Sequence, residues 1–319
     1  MKKLSSLLLA AATVCTAYAQ PNTLSLSQSG TGNSTPVSQG GHGNTGSVTV
    51  AGDNNLASLT QYGGSTATVL VKGNRNVASL QPSGTEASLT QLGDDNRASI
   101  NSLGSLSRYN LYQSGNRNTA LAESNWGGNN QVAISQVGYN NQSSVRASGY
   151  DGFAPLFDSH DNQVSISQSG TDNYSNANIQ YSSYNQVTIS QTGEDNVART
   201  NHTGGIFPGR GMDNQATISQ TGEANQALID QPGNANQATL TQLGTGNEAR
   251  LLQAGDLNTA TVVQRGMNNV LAGLNPGATS AFQTGMNNAL TLTQTGDGNV
   301  LRFGQMGNNN TATVMQAAY

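Results

Sequence analysis

The chain has 319 residues, 34% of them apolar and 9% charged, too little apolar surface for an ordinary globular core and too little charge for a solvated disordered chain. Asn, Gln, Ser, Thr and Gly fill the difference, a polar mixture suited to stacked β-structure with side-chain amide ladders. With Lys2 and Lys3 set aside, 11 basic residues face 17 acidic ones from Gln20 onward, a net charge of −6, and the absence of any basic cluster argues against nucleic acid as a partner.

In chain order the first predicted element is a leader. Lys2 and Lys3 precede an apolar run from Leu7 to Val14, and Ala17-Tyr18-Ala19 forms a small-x-small cleavage site. Residues 1–19 therefore read as a secretory signal peptide, too short in its apolar part to anchor in a bilayer. Cys15 lies inside it after Ala12-Thr13-Val14, a poor lipidation box, and it is the sole cysteine. The exported remainder, 20–319, is expected to fold without disulfides, and no later apolar stretch is long enough to cross a membrane.

That remainder repeats. Asparagine recurs at Asn22, Asn33, Asn44 and Asn55, then around Asn118, Asn130, Asn162 and Asn185. From Asn214 the spacing is eleven residues through Asn225, Asn236, Asn247, Asn258 and Asn269, and the beat resumes at Asn288, Asn299 and Asn310. Counting the Asn as position 0, a Gln stands at position 6 and a Gly at position 8. Roughly 26 units, some degenerate, cover nearly the whole chain after the leader, which is the signature of a stacked repeat architecture.

Each unit predicts one strand and one turn. In Asn236 to Gln242 the even positions are Asn236, Ala238, Leu240 and Gln242, and the odd ones are Gln237, Thr239 and Thr241. Alternate residues of a strand face opposite sides, so one face is aliphatic and amide and the other rich in hydroxyls. The same partition holds at Val164/Ile166/Gln168, Val187/Ile189/Gln191, Ala216/Ile218/Gln220 and Leu290/Leu292/Gln294. Candidate turn glycines, needed for positive φ, are Gly138, Gly170, Gly193, Gly222, Gly233, Gly244, Gly255, Gly266 and Gly296. Asp94, Asp95, Asp195, Asp256 and Asp297 fall in the same turns; Pro232 and Pro276 are read as lying just before a turn glycine, and Pro155 and Pro208 as lying in insertions.

Two units make a 22-residue layer. Stacking roughly 13 layers about 4.8 Å apart gives a rod on the order of 60 Å long. The expected fold class is all-β: a two-strand-per-layer, amyloid-like β-solenoid of eleven-residue half-repeats. Inward amides are expected to hydrogen-bond along its axis through Gln136, Gln168, Gln191, Gln220, Gln231, Gln242, Gln253, Gln264, Gln294 and Gln316. Asn162, Asn185, Asn214, Asn225, Asn236, Asn247 and Asn258 form the companion rows. Such rows are expected to be satisfied only if every layer repeats the same residue in the same place. Insertions near 150–161 (Phe153, Pro155, Phe157, His160) and 204–213 (Phe207, Pro208) are separated by four units, an even number, so both should leave the same edge about two layers apart.

Neither end of the repeat run shows a cap: the beat starts at Asn22 and continues to Gln316. Open end layers would template further copies, and head-to-tail addition yields filaments.

The stretches NQATISQTGEANQALIDQ (Asn214 to Gln231) and NQATLTQLGTGNEARLLQ (Asn236 to Gln253) resemble the curlin repeat of bacterial curli fibre subunits, and GNNNTATVMQAAY at the C-terminus is similar to that family's last repeat. The resemblance implies an extracellular amyloid subunit of biofilm matrix that is fimbrial and adhesive. Its implied partners are copies of itself, related subunits, and a secretion channel with chaperones. The inward amides of the family's motif map by position onto Gln220, Asn225, Gln231, Gln242, Asn247 and Gln253. Two departures stand out: this chain has more than twice the repeats of familiar curlins, and only the stretch from Gly40 to Gly46 could serve as their Gly-rich targeting segment.

Enzymatic activity is not expected. His42, His160 and His202 lie far apart and read as solvated loop residues without acidic partners, so no catalytic, cofactor or metal residues are assigned. Two alternatives rest on other features. Outward pairs such as Thr188/Ser190, Thr239/Thr241 and Thr291/Thr293 would suit an ice-binding solenoid, with Ser148, Arg199, Arg250 and Arg302 read as breaks in that face. An adhesin stalk would use the Phe-bearing insertions.

Overall fold

A computed structural model describes residues 21–104, 106–125, 127–149, 159–204, 211–274 and 279–318. The leader, Phe153, Pro155, Phe157, Phe207, Pro208 and Pro276 lie outside them. Every regular element among the described residues is a strand. In chain order they are β1 (Thr23–Ser29), β2 (Val37–Gly40), β3 (Thr45–Ala51), β4 (Leu56–Tyr62), β5 (Thr66–Lys72), β6 (Val77–Pro82) and β7 (Glu86–Leu92). There follow β8 (Arg97–Ser102), β9 (Arg108–Asn116), β10 (Thr119–Asn125), β11 (Gln131–Tyr139), β12 (Gln142–Ser148), β13 (Gln163–Thr171) and β14 (Tyr174–Gln180). The next are β15 (Gln186–Glu194), β16 (Val197–Thr203), β17 (Gln215–Glu223), β18 (Gln226–Asp230), β19 (Gln237–Thr245) and β20 (Glu248–Ala254). The last are β21 (Thr259–Met267), β22 (Val270–Gly273), β23 (Ala281–Thr284), β24 (Ala289–Thr295), β25 (Val300–Met306) and β26 (Thr311–Ala317).

The strands divide by parity between two parallel sheets. The first runs β1-β3-β5 and on through β21 to β24 and β26; the second runs from β2 through the even-numbered strands to β22, β23 and β25. The chain alternates between sheets and climbs one layer for every two units, giving the β-solenoid of about twelve turns. Register follows the repeat: Ala216 pairs with Ala238, Ile218 with Leu240 and Gln220 with Gln242.

Alternation decides what is buried. The strand Gln237–Thr245 puts Ala238, Leu240 and Gln242 inside and leaves Gln237 and Thr239 exposed. Ala, Val, Leu and Ile from both sheets form one continuous seam along the rod, in which Leu59, Leu80, Ile100, Ile134, Ile218 and Leu292 are fully buried. At about 25 cal/mol per Å2 such burial is the main stabilising term, although each layer contributes only a few small side chains. The remaining interior is amide.

The flanking strands locate the two expected insertions. Residues 149–162 join β12 to β13 and residues 204–214 join β16 to β17; both run from second sheet to first, so both connections occupy the same edge, two layers apart. A third insertion has a different place. Strands β22 and β23 both pair with β20 and both pair with β25, so they are two halves of one rung, parted by residues 274–280. Pro276, read as lying just before a turn glycine, falls between the two halves in sequence and lies outside the described residues. With this rung counted once, the described chain holds thirteen rungs in the first sheet and twelve in the second.

Candidate functional site

The polar interior is a set of columns running the length of the rod. Each inward Asn is tied to both neighbouring layers. Asn196 Nδ2 donates to Asn173 Oδ1 at 3.0 Å and to the Gly222 carbonyl at 2.8 Å, and its backbone N–H donates to the same Asn173 oxygen at 3.2 Å. In the second sheet this chain of amides is unbroken from Asn33 through Asn55, Asn118 and Asn173 to Asn299. In the first sheet it is interrupted by Ser65, Thr85 and Ser107, and it includes Asn162, Asn185, Asn214, Asn236 and Asn258. Asn225 and Asn247 belong to the second-sheet row.

Glutamines form the companion columns. In the first sheet Gln91, Gln113, Gln136, Gln168, Gln191, Gln220, Gln242, Gln264, Gln294 and Gln316 are linked successively, Nε2 of each to Oε1 of the next, at 2.8 to 2.9 Å. The second Nε2 hydrogen closes the layer: Gln191 donates to the Tyr174 carbonyl across the interior at 3.0 Å. A buried primary amide is thus satisfied on every side. In the second sheet Gln231, Gln253, Gln283 and Gln305 make a shorter ladder, and Gln39 with Gln61 another.

Between those second-sheet ladders the column reads Pro82, Ser102, Ser124, Ala147, Ile179 and His202. The requirement that every layer repeat its amide is therefore not met there, and packing replaces it. Gln231 Nε2 reaches the Gln215 carbonyl beside Ala216, so position 6 of one sheet faces position 2 of the other. Where the second sheet carries small or aliphatic residues, position 2 of the first carries Tyr109, Val132, Val164 and Val187, all buried. Volume lost on one wall returns on the other. A similar defect in the first sheet, Val50 and Val71 at position 6, leaves Gln91 Oε1 buried without a partner.

His202 is not a solvated loop residue. It lies within β16, fully buried, with Nε2 2.6 Å from Gln231 Oε1 and Nδ1 without a partner. Burial pushes its pKa down to about 4, against the hydrogen bond to Gln231 that acts the other way. The unfolded chain, with an ordinary histidine pKa near 6.5, then binds more protons between pH 4 and 6.5, so stability falls as pH drops through that window. We expect a loss of about 3 kcal/mol between pH 7 and pH 4 from this group, read as a fall in the melting temperature, and a flatter profile for His202→Gln, which extends the ladder to Gln231. His160 also departs from expectation: Nδ1 lies 2.7 Å from Asp161 Oδ2, and its ring meets Tyr184 edge-on at 5.1 Å.

The predicted turn glycines stack. Gly138, Gly170, Gly193, Gly222, Gly244, Gly266 and Gly296 follow one another on one edge, and Gly233 and Gly255 lie on the other. Gly193 has φ of 118°, and a Cβ there would stand 2.0 Å from the Gly222 carbonyl oxygen. Two demands coincide, a left-handed turn and the approach of the next layer.

Outside, the two sheets differ. Outward positions 1, 3, 5 and 7 of β11, β13, β15, β17 and β19 carry no charge and present hydroxyl and amide rows such as Gln186, Thr188, Ser190 and Thr192, with Glu194 and Glu223 following at position 9 of β15 and β17. Ser148, Arg199, Arg250 and Arg302, read from the repeat as interruptions of the hydroxyl face, all belong to the second sheet, whereas the exposed charges of the first sheet outside β11 to β19 include Lys72, Glu86, Arg108 and Arg265. The period does not show on which side of the rod a unit falls.

At the ends, β1 and β26 each pair with one strand only among the described residues. Backbone polarity along the axis is uniform: even positions address the preceding layer, as in Ala57 N–H to Ser34 C=O, and odd positions the following one, as in Leu56 N–H to Asn76 C=O. The two end layers are therefore complementary to each other.

The family model of the curlin associated repeat matches residues 30–63, 211–244, 244–270 and 285–317. No curated protein matches the chain. Repeats of this description belong to structural subunits rather than enzymes.

Proposed function

Taking as premise that this is a curlin-repeat chain, we propose that it is an extracellular structural subunit that polymerises end to end into curli-like amyloid fibres, serving biofilm matrix, adhesion and aggregation. The observation that carries this reading is the pair of complementary end layers, each carrying amide ladders that reach the end of the described rod. Among the described residues Gln316 Nε2 has no following glutamine and Gln39 Oε1 has no preceding one. A second copy supplies both, converting edge strands into interior ones.

Residues 1–19 would direct export and be removed, residues 20–319 would form the fibre unit, and the inward Asn, Gln and turn Gly columns would continue from copy to copy as the amyloid ladder. Copies of the same chain are the principal partners, with related subunits, a secretion channel and chaperones following from the resemblance. The test is time-resolved thioflavin fluorescence of the purified chain from Gln20 onward, with fibre diffraction. Growth after a lag and a meridional reflection at about 4.7–4.8 Å are expected; a chain that stays monomeric at high concentration overturns the reading.

One observation favours a second reading. The uncharged positions 1, 3, 5 and 7 of β11 to β19 in the first sheet form the kind of regular array an ice-binding solenoid would need, and a soluble monomer with thermal hysteresis would select it.

A further inference from the structure

We infer that successive copies in the fibre are related by a half-turn about the fibre axis, so that the first sheet of one copy continues the second sheet of the next. This rests on the polymer reading above and on a count. The described end layers enclose thirteen rungs in the first sheet and twelve in the second, an odd number of half-turns. Both outermost strands, β1 and β26, belong to the first sheet.

If β1 of the next copy stacked on β26, the first sheet would continue. The second would then pass from β25 to the next copy's β2 across a height of two layers, leaving one rung vacant and both its edges unpaired in the interior of the fibre. Unpaired backbone groups at a buried edge are costly. A rotation of about 180° removes the vacancy. The next β1 then stacks on β25 and the next β2 on β26, as though the chain had simply continued into another half-turn.

The half-repeats permit this because both sheets are built on one pattern. The glutamine ladder donates toward the C-terminal end (Gln294 to Gln316, Gln283 to Gln305) and the asparagine ladder toward the N-terminal end (Asn44 to Asn22, Asn55 to Asn33). Across the rotated joint, Gln305 meets the next copy's Gln28 and Gln316 meets its Gln39, amide to amide in both columns. The outer faces exchange sides at every joint, so each side of the fibre alternates the outward surface of the first sheet with that of the second. Each copy advances by roughly 60 Å and the full repeat is about 120 Å.

Two cysteine pairs separate the joints, in the chain from Gln20 onward, which contains every described layer and no cysteine. Ser25, Arg302 and Thr313 are exposed and occupy the same position of β1, β25 and β26. In the rotated joint Ser25 neighbours Arg302 of the adjoining copy at the strand spacing of about 4.8 Å, within disulfide reach; in the unrotated joint it neighbours Thr313. Within one copy these residues are roughly 55 Å apart, so any bond is between copies. Fibres grown under reduction and then oxidised should give a covalent ladder on a non-reducing gel with Ser25→Cys/Arg302→Cys and remain monomeric with Ser25→Cys/Thr313→Cys. The opposite pattern overturns the half-turn and leaves the polymer standing. Helical averaging of unsubstituted fibres gives the same decision without cysteines: a rotation near 180° beyond the sheet twist supports the inference, and one near 0° overturns it. If the unsubstituted chain forms no fibres, the polymer reading and this inference fall together.

Discussion

Gly193→Ala is expected to destabilise the rod by about 3–5 kcal/mol, far beyond an ordinary surface change. A Cβ at φ of 118° meets the Gly222 carbonyl oxygen at 2.0 Å. That carbonyl is rigid backbone and accepts from Asn196 Nδ2, so the layer cannot yield without losing a buried hydrogen bond. Backbone strain of about 1–3 kcal/mol adds to that loss. Gly298→Ala is the control: its φ of 68° lies in the ordinary left-handed region and nothing stands within 4 Å of the added carbon, so about 1–2 kcal/mol is expected. Guanidinium unfolding of the monomer reads the difference. Because repeats unfold in near-neighbour blocks, hydrogen exchange should rise in the layers flanking Gly193 rather than along the whole rod. Equal midpoints for the two variants would refute the stacking account of these glycines.

Gln191→Ala should have a comparable cost, again about 3–5 kcal/mol, through unmade hydrogen bonds. It removes the acceptor for Gln168, orphans Gln220 Oε1, and frees the Tyr174 carbonyl, all at buried positions. Gln191→Leu restores volume but not the bonds, so it should recover only the cavity part of the loss. The exposed Gln186 on the same strand makes no such ladder, and Gln186→Ala should stay within about 0.5 kcal/mol of the parent. In a fibre assay the Gln191 variants should also slow elongation, since the same ladder must extend across each joint. Unchanged midpoints would mean that the column is held by the aliphatic seam alone.

Much of this site is legible in the residues themselves. The inward amides from Gln136 to Gln316 in the first sheet stand in one hydrogen-bonded row, as their spacing implies, and Asn at position 0 adds a bond to the turn glycine that spacing alone does not reveal. Where an unlike residue occupies a repeat position, its local sequence points away from its place in the fold. His202 looks like a loop residue because it follows Arg199 and Asn201 and precedes an insertion, yet it fills a glutamine's place. Its burial follows from its neighbours in the layers above and below, which are 29 residues distant in the case of Gln231. The aliphatic replacement of the second ladder is similarly visible only once Ile179 and Val164 are known to share an interior.

The strand, its two faces, the turn and the layer follow from the residue order alone, because an eleven-residue period sets which side chains alternate and where the chain can reverse. Which half-repeats share a sheet, that residues 274–280 part the two halves of a rung, and that Arg199, Arg250 and Arg302 lie on the second sheet emerge from the folded arrangement. Those depend on the parity of half-turns carried across irregular insertions, a long-range property to which a local period is blind.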